Sequence, residues 1–346
     1  MSRAVRLRSL ACAVPGNRVA QKEVREAAAR LFTGRLPEAE RLLAVFDRAG
    51  IATRHFTMPL EWYLEPRDFG ARNRLFVARA EELLLAVARA ALGRVGLAAR
   101  AVDTVVCVTS TGIATPTLEA RIAERLGLRP DVERVPLFGL GCAGGVLGLA
   151  RAASFVRAGQ ATVLLLVVEL CSLALRHSDP SRANLVACAL FADGAAAAVL
   201  TAAGEGPVVA ASGESRLHDS LDVMGWRIEA DGFGVLFSPA IPDLVRHRLR
   251  PAVETFLARH GRRLEEVDRF ALHPGGAKVL DALRDALEPG ARDLELAAAV
   301  LRSYGNVSAV SVLLVLHRLL EARRWRRALA LSMGPGFTMA FLLLER

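Results

Sequence analysis

Hydrophobic and polar positions along this chain switch between the two-residue period of strands and the 3.6-residue period of helices. Residues 4–14 are mostly apolar and stop at Pro15-Gly16, which reads as a strand. Gln21–Phe32 and residues 37–49 place apolar side chains at helical spacing on either side of a turn at Gly34, predicting two amphipathic helices. Residues 50–77 mix aromatics, prolines and charges and predict an irregular surface region, followed by a long helix over 78–97. The apolar run 102–109 predicts a buried strand that leads into the polar turn Ser110-Thr111-Gly112, and Leu118–Leu126 a helix. The chain is organised around the next stretch, residues 135–158 (VPLFGLGCAGGVLGLARAASFVRA). Its apolar run ends in a Gly-Leu-Gly turn, Cys142 stands where the turn becomes a helix, and Val146, Leu149 and Ala150 form the apolar helical face. A strand over 161–168 completes the set.

The second part of the chain repeats this order. Residues 246–260 predict a helix, 267–272 a strand ending at His273-Pro274-Gly275-Gly276, and 278–287 another helix. The turn Ser303-Tyr304-Gly305-Asn306 then opens a helix over 308–320, and 328–332 predict a strand. The registers agree: Val102 to Cys142 spans 40 positions and Val267 to Asn306 spans 39. Strand, helix, turn-into-helix and strand, used twice, imply two similar α/β halves with buried sheets. A pseudo-twofold relation between them would bring Cys142 and Asn306 towards one centre.

Composition narrows the function. With 346 residues, 53% of them hydrophobic, the chain can bury a large core, as one big domain or as two fused halves. The 23% charged content excludes wholesale disorder. The longest apolar stretch, 161–175, is interrupted by Glu169 and falls short of a membrane span, so stable membrane insertion is not expected. The opening MSRAVRLRSLACAVPG has too short an apolar core for a signal peptide, and a cytoplasmic location is expected. Cys12, Cys107, Cys142, Cys171 and Cys188 lie in apolar segments without Cys-x-x-Cys spacing and read as reduced thiols, neither a disulfide frame nor a zinc site. The net charge of +9 comes from arginines scattered singly along helices, with only Lys22 and Lys278 as lysines. That pattern argues against nucleic acid and leaves a phosphate-bearing small ligand compatible.

Cys142, His273 and Asn306 all sit at turns that close strands or open helices, where open α/β sheets place their ligands. Unpaired amides at a helix start favour a thiolate, and flanking glycines let a substrate carbonyl approach the backbone. A cysteine in a tight turn also fits as a small buried residue, and it is the accompanying histidine and asparagine that favour chemistry. Histidine can hold a cysteine as thiolate, and both partners can donate hydrogen bonds to an oxyanion or enolate. His273, followed by Pro-Gly-Gly, is set apart from the six other histidines, which read as surface or packing residues.

The motifs GLGCAGG at Cys142, LHPGG at His273, YGNVSAVSV at Asn306, ALFADGAAA at Phe191 and SMGPGF at 332–337 together resemble a type III polyketide synthase of the chalcone/stilbene synthase family. They follow the family's order over nearly the whole chain. The YGN-x-S element also occurs in ketoacyl synthase III enzymes, and the HPGG and GPG pair separates this family from them. The resemblance implies an α/β fold, thiolase-like with αβαβα layers in two pseudo-duplicated halves. Residues 1–205 would carry the cysteine and 206–346 the histidine and asparagine. It further implies a homodimer acting on acyl-CoA and malonyl-CoA substrates, with no cofactor, acyl carrier or metal.

Carried over by residue, the resemblance implies that Cys142 is acylated by a starter acyl-CoA and holds the growing chain. His273 would stabilise its thiolate and, with Asn306, bind the thioester carbonyl while malonyl-CoA loses carbon dioxide. Phe191 matches the gatekeeping phenylalanine between CoA tunnel and cavity, with a core aromatic beside Asp193-Gly194 as the alternative. Pro335 lies in the loop that shapes the cavity, and Ser308 matches a lining position; Glu169 and Thr111 are expected among the substrate-binding residues. Asp47-Arg48 resembles an Asp-Lys pair whose cation meets the CoA phosphate, Arg41 aligns with a second such cation, and a third position reads Ala44.

Departures from the plant pattern bear on the substrate. Ala174, five residues after Glu169, stands where chalcone-type enzymes carry a threonine beside the starter pocket, and Val235 replaces a second gatekeeper phenylalanine. Trp226 in MGWRIEADGF, and RHFTMPLEWYLEP at 54–66, are similar to bacterial members that make alkylpyrones and alkylresorcinols. Ser110, Thr111 and Thr115 are expected near the cavity or the dimer contact. The smaller side chains would open an apolar pocket that a fatty acyl starter fills at roughly 0.8 kcal/mol per methylene. Competing expectations are a ketoacyl synthase III-like enzyme with a single condensation, a papain-type Cys-His-Asn hydrolase, and a non-enzymatic scaffold on the same fold.

Overall fold

A computed structural model describes residues 4–288, 290–322 and 324–346. The first part runs through β1 (Arg6–Ala13), β2 (Asn17–Ala20), α1 (Gln21–Phe32), α2 (Ala39–Leu42), α3 (Ala44–Asp47), β3 (Thr53–Phe56) and α4 (Phe69–Gly93). It continues with β4 (Thr104–Thr109), α5 (Leu118–Leu126), β5 (Glu133–Phe138), α6 (Gly144–Arg157), β6 (Thr162–Leu170), α7 (Arg182–Leu190) and β7 (Asp193–Thr201). After β8 (Val208–Arg216) come a hairpin of β9 (Met224–Glu229) and β10 (Gly232–Phe237), then α8 (Ile241–Arg259), β11 (Arg269–Leu272) and α9 (Ala277–Leu287). The chain ends with α10 (Ala291–Tyr304), α11 (Ala309–Glu321), β12 (Arg327–Gly334) and β13 (Thr338–Glu345).

Among the described residues the main sheet has nine strands in the order β11-β12-β13-β8-β1-β7-β6-β4-β5. It is two sheets joined at one seam, where β1 meets β8 through the pair Arg6–Val208. In one half β1–β7 and β7–β6 are antiparallel and β6–β4 parallel; in the other β8–β13 and β13–β12 are antiparallel and β12–β11 parallel. The repeated sequence pattern is therefore a repeated topology, and the expected layered α/β fold of two pseudo-duplicated halves is present.

Burial explains the layers. β6 (TVLLLVVEL) is buried along its whole length, as a strand covered on both faces must be. α6 is buried on most of its circumference and packs on strands of both halves, as does α11. These two helices form the middle layer, α4 lies against β1, β6 and β7 on one outer face, and α8 lies against β13 on the other. α6 and α11 cross at their N-termini, where a Cβ on Gly145 would lie 2.2 Å from the Ala309 carbonyl oxygen. Only glycine permits that approach, and it brings the turns bearing Cys142 and Asn306 together.

The structure departs from the pattern in three places. Residues 37–49 form two single helical turns, α2 and α3, with Glu38 in the left-handed region at φ +59°. The stretch 50–77 is not wholly irregular: β3 pairs with β2, and α4 begins at Phe69 because the Asp68 carboxylate accepts the Ala71 amide at 2.7 Å. The second-half helix begins at Ile241, with a proline in its first turn.

Candidate active site

Two glycines with positive φ, Gly139 (+88°) and Gly141 (+48°), turn the chain from β5 into a short 3₁₀ turn, Gly141–Ala143, that runs into α6. This turn packs on the Gly334-Pro335-Gly336 loop so closely that a Cβ on Gly141 would meet Pro335 Cδ at 2.6 Å. One on Gly334 would meet the Leu140 oxygen at 2.6 Å. The Gly141 amide donates to Ser110 Oγ at 2.8 Å, and Cys142 is left half-buried at the helix start.

The Asn306 turn is fixed from three sides. Its amide donates to the Leu190 oxygen and its carbonyl accepts from Ala192, both at 2.9 Å, which joins it to Phe191. Asn306 Nδ2 donates to the Gly275 carbonyl at 3.2 Å, tying in the His273-Pro-Gly-Gly segment, and Oδ1 accepts the Ser308 amide at 2.9 Å. The Ser308 hydroxyl in turn lies 3.7 Å from Cys142 Sγ. His273 is buried, its amide donates to the Leu331 carbonyl at 3.0 Å, and its Nδ1 has no partner among the described residues. Cys142, His273 and Asn306, from segments up to 164 positions apart, thus belong to one constellation. No direct hydrogen bond joins Cys142 to His273 among the described residues.

Burial dominates the electrostatics. It pushes the Cys142 thiol up to about 12, against the opposing pull of the Ser308 hydroxyl and the Asn306 amide. The helix start was expected to favour a thiolate; desolvation outweighs it. Burial likewise lowers His273 to about 4, so the imidazole is neutral at physiological pH. Beneath the pair lies Glu169, which accepts from the Ser110 amide at 3.1 Å, Thr111 Oγ at 2.8 Å and Ser308 Oγ at 3.4 Å. Burial raises it to about 7 despite those donors.

Two cavities meet here. One, about 430 Å³ including its mouth, holds Cys142, Ser308, Pro335 and Met224 on its walls. The second, about 610 Å³ including its mouth, is walled by apolar residues such as Ala27, Leu31, Leu60, Ala174, Leu175 and Ala187. Cys171, Phe191, Trp226 and Val235 line both and are the boundary, or neck, where the two adjoin. The rings of Phe191 and Trp226 lie 6.3 Å apart across it.

Of the residues singled out in the sequence, Phe191, Ala174, Trp226, Ser308 and Pro335 therefore face a cavity. Thr111 and Glu169 lie under the floor: the Thr111 hydroxyl donates to Glu169 and accepts the Leu170 amide at 2.9 Å. Arg48 is exposed after α3, away from both cavities and without an ion pair among the described residues, while Arg41 pairs with Glu38 at 2.5 Å. Ser110 is buried just after β4, against the cysteine turn, and Thr115 is exposed. Sequence reasoning missed Arg54, fully buried, whose Nη1 donates to the Cys188 and Phe191 carbonyls at 2.6 and 2.8 Å. It also missed Asp193, which accepts from Thr57 and Ser172 below the neck. A buried arginine in TRHF carries no sequence signal, because arginines are mostly exposed.

The family model of chalcone and stilbene synthases matches its N-terminal domain over residues 4–204 and its C-terminal domain over 209–346. A 1,3,6,8-tetrahydroxynaphthalene synthase of Streptomyces peucetius subsp. caesius is 42% identical, covering 96% of this chain and 91% of its own. The alpha-pyrone synthesis polyketide synthase-like Pks18 of Mycobacterium tuberculosis is 30% identical over 98% of this chain and 90% of its own. The crystal structure of the 1,3,6,8-tetrahydroxynaphthalene synthase of Streptomyces coelicolor A3(2), a bacterial type III polyketide synthase, superposes with a TM-score of 0.93. The two are 30% identical, with 98% and 99% of the two chains covered. Matched by both halves of the family model and sharing this fold, the chain belongs to the chalcone and stilbene synthases and is a type III polyketide synthase, a malonyl-CoA-dependent condensing enzyme.

Proposed function

We propose that this enzyme primes Cys142 with a long-chain fatty acyl group from acyl-CoA, extends it with malonyl-CoA, and closes the product to an alkylpyrone or alkylresorcinol. The observation that carries this is the apolar cavity behind the neck. It adjoins the cavity of Cys142 along the four residues that line both, and each methylene buried there favours binding by about 0.8 kcal/mol. Cys142 Sγ attacks the starter thioester as its proton is relayed by the His273 imidazole to the departing sulfur, so that CoA leaves as the thiol and His273 is neutral again. Malonyl-CoA then loses carbon dioxide, and its enolate oxygen is held by the N–H groups of neutral His273 and Asn306, which stabilise the anion without protonating the carbanion. The enolate carbon attacks the acyl-Cys142 carbonyl and the cysteine leaves as thiolate. Glu169, with its carboxyl near neutrality and linked to Cys142 through Ser308, is suited to exchange a proton there during product closure. No metal or bound cofactor takes part.

The halves divide at residues 205 and 206, after β7, and Arg48, exposed after α3 and outside the lining of both cavities, meets the phosphate end of CoA where it extends over the surface. The enzyme works as a homodimer in the cytoplasm, whose reducing conditions suit its five free cysteines. No described helix is long and apolar enough to cross a membrane. Dimer formation is supported by β5, which stands at the edge of the sheet with Phe138 about half exposed (52%), and by Ile113, exposed at 46% in the segment after β4, the strand that pairs with β5.

A second reading takes the name of the 42%-identical relative: the product would be tetrahydroxynaphthalene, an aromatic with no alkyl tail. Mass-spectrometric profiling with malonyl-CoA and acyl-CoA starters from acetyl to long-chain, with Cys142→Ala as the blank, separates the two. Pyrones or resorcinols that peak with long starters support the first reading. Tetrahydroxynaphthalene from malonyl-CoA alone, with no gain from long starters, replaces it.

A further inference from the structure

Two of the four neck residues, Trp226 and Val235, face each other in register on the β9–β10 hairpin, which stands apart from the nine-stranded sheet. The place of the hairpin therefore fixes the width of the neck. Its tip is held by two arginines. Arg72, buried on α4, donates through Nη1 to the carbonyls of Leu173 and Leu175 at 3.0 and 2.8 Å, and through Nη2 to the carbonyl of Asp231. Arg176 Nε donates to Asp231 Oδ1 at 2.6 Å, its Nη1 reaches Asp179 at 3.4 Å, and Ser178 Oγ donates to Asp231 Oδ2.

The sequence Asp231-Gly232-Phe233-Gly234 is fitted to these side chains. A Cβ on Gly232 would lie 3.2 Å from Arg72 Nη2, and one on Gly234 would lie 3.0 Å from Arg176 Nη1. Phe233 is buried between Phe69, at 5.5 Å, and Trp226, at 5.9 Å between ring centres. The carbonyls that Arg72 holds flank Ala174 in the apolar cavity wall. One guanidinium thus spans the cavity wall and the hairpin that carries the neck.

We propose that Arg72, Arg176 and Asp231 form a latch that sets the neck aperture and thereby selects the length of chain admitted from the Cys142 cavity into the apolar one. They are positioning residues, acting through Trp226 and Val235. The proposal rests on the acyl-chain reading above and adds what measures the chain. The Arg176–Asp231 pair is the accessible part, with the two side chains 16% and 36% exposed, so opening it is expected to change passage by about threefold to fivefold.

The test is independent of turnover. Wild type, Asp231→Ala and Asp231→Asn are labelled with N-alkyl maleimides from ethyl to dodecyl, and the rate at Cys142 is read by peptide mass spectrometry. Amide hydrogen exchange is followed over residues 224–237 in parallel. The latch predicts unchanged ethyl labelling, a dodecyl rate altered about threefold or more in Asp231→Ala, faster exchange in the hairpin, and an intermediate Asp231→Asn. It also predicts that added salt moves wild type towards Asp231→Ala and leaves the variant unmoved. Equal changes at every chain length, or no change in labelling or exchange, overturn it. If wild type instead elongates no fatty acyl-CoA, the acyl-chain reading falls, while the labelling ladder still decides whether the latch sets the neck.

Discussion

Glu169 and His273 are buried within one constellation, and burial moves their proton affinities in opposite directions. Glu169 keeps its proton up to about pH 7 in the folded chain against an ordinary 4.5, so its contribution to stability is complete below 4.5 and is lost as pH rises through 7. His273 falls to about 4 against an ordinary 6.5, so its contribution is complete above 6.5 and is lost as pH falls through 4. Between these limits the two slopes oppose each other. Glu169→Gln removes the falling one, and thermal denaturation from pH 4.5 to 8 should show the variant gaining on wild type as pH rises. The expected gain is on the order of 1–3 kcal/mol at pH 8, with none at pH 4.5; an offset independent of pH would refute a neutral-leaning Glu169. Gly305 offers a steric counterpart. At φ +70°, with a virtual Cβ 2.8 Å from Arg54 Cγ, Gly305→Ala should lower the melting temperature and displace Asn306, so that activity falls about tenfold or more. At this scale Cys142, His273 and Asn306 were legible because each stands in a glycine-rich turn whose spacing repeats. Arg54, Arg72 and Asp193 were not, because a buried charge is explained only by partners far off in sequence.

The elements show why periodicity succeeds in some segments and fails in others. Leu118–Leu126 falls where its apolar spacing puts it, and Gly127 ends it in the left-handed region at φ +83°. β7 (DGAAAAVLT) carries a run of alanines, which favour helix in isolation, yet is a strand because β1 and β6 pair with it on either side, and is buried throughout under α4, α6 and α11. Tertiary pairing overrides propensity there, and nothing in the local pattern announces it. The crossing of α6 and α11 is the element-level feature on which the constellation depends. Gly145→Ala would set a methyl 2.2 Å from the Ala309 oxygen and force the two helix starts apart. Overpacking of this kind is expected to cost about 1–3 kcal/mol in chemical denaturation. Condensation should fall further than stability at 25 °C implies, because Cys142 and Asn306 move with their helices. A loss of stability with full activity would mean that the constellation is not held by this crossing.

At the scale of the whole molecule, duplication leaves the two sheets unequal. The shared seam of β1 and β8 closes one side of each half-sheet, whereas β5 extends only the first half and has no counterpart strand among the described residues of the second. Its outer edge carries unpaired backbone groups, and the side chains along it are exposed or half-buried, ending at Phe138. An edge of this kind invites pairing with another chain unless charge or proline guards it. Glu133, Arg134 and Pro136 are the guards present, and none of them covers the strand's end at Phe138. If a second copy covers this edge, Phe138 and Ile113 are buried in the contact, and the Cys142 turn that begins at Gly139 lies directly behind it. Phe138→Arg should then weaken self-association about tenfold or more in sedimentation velocity, because a desolvated aromatic near the centre of an interface carries a large share of its energy. Condensation activity should fall with protein concentration in step with dissociation. An unchanged dimer would put the interface elsewhere, and a wild type that sediments as a monomer at all concentrations would remove the dimer from the proposal.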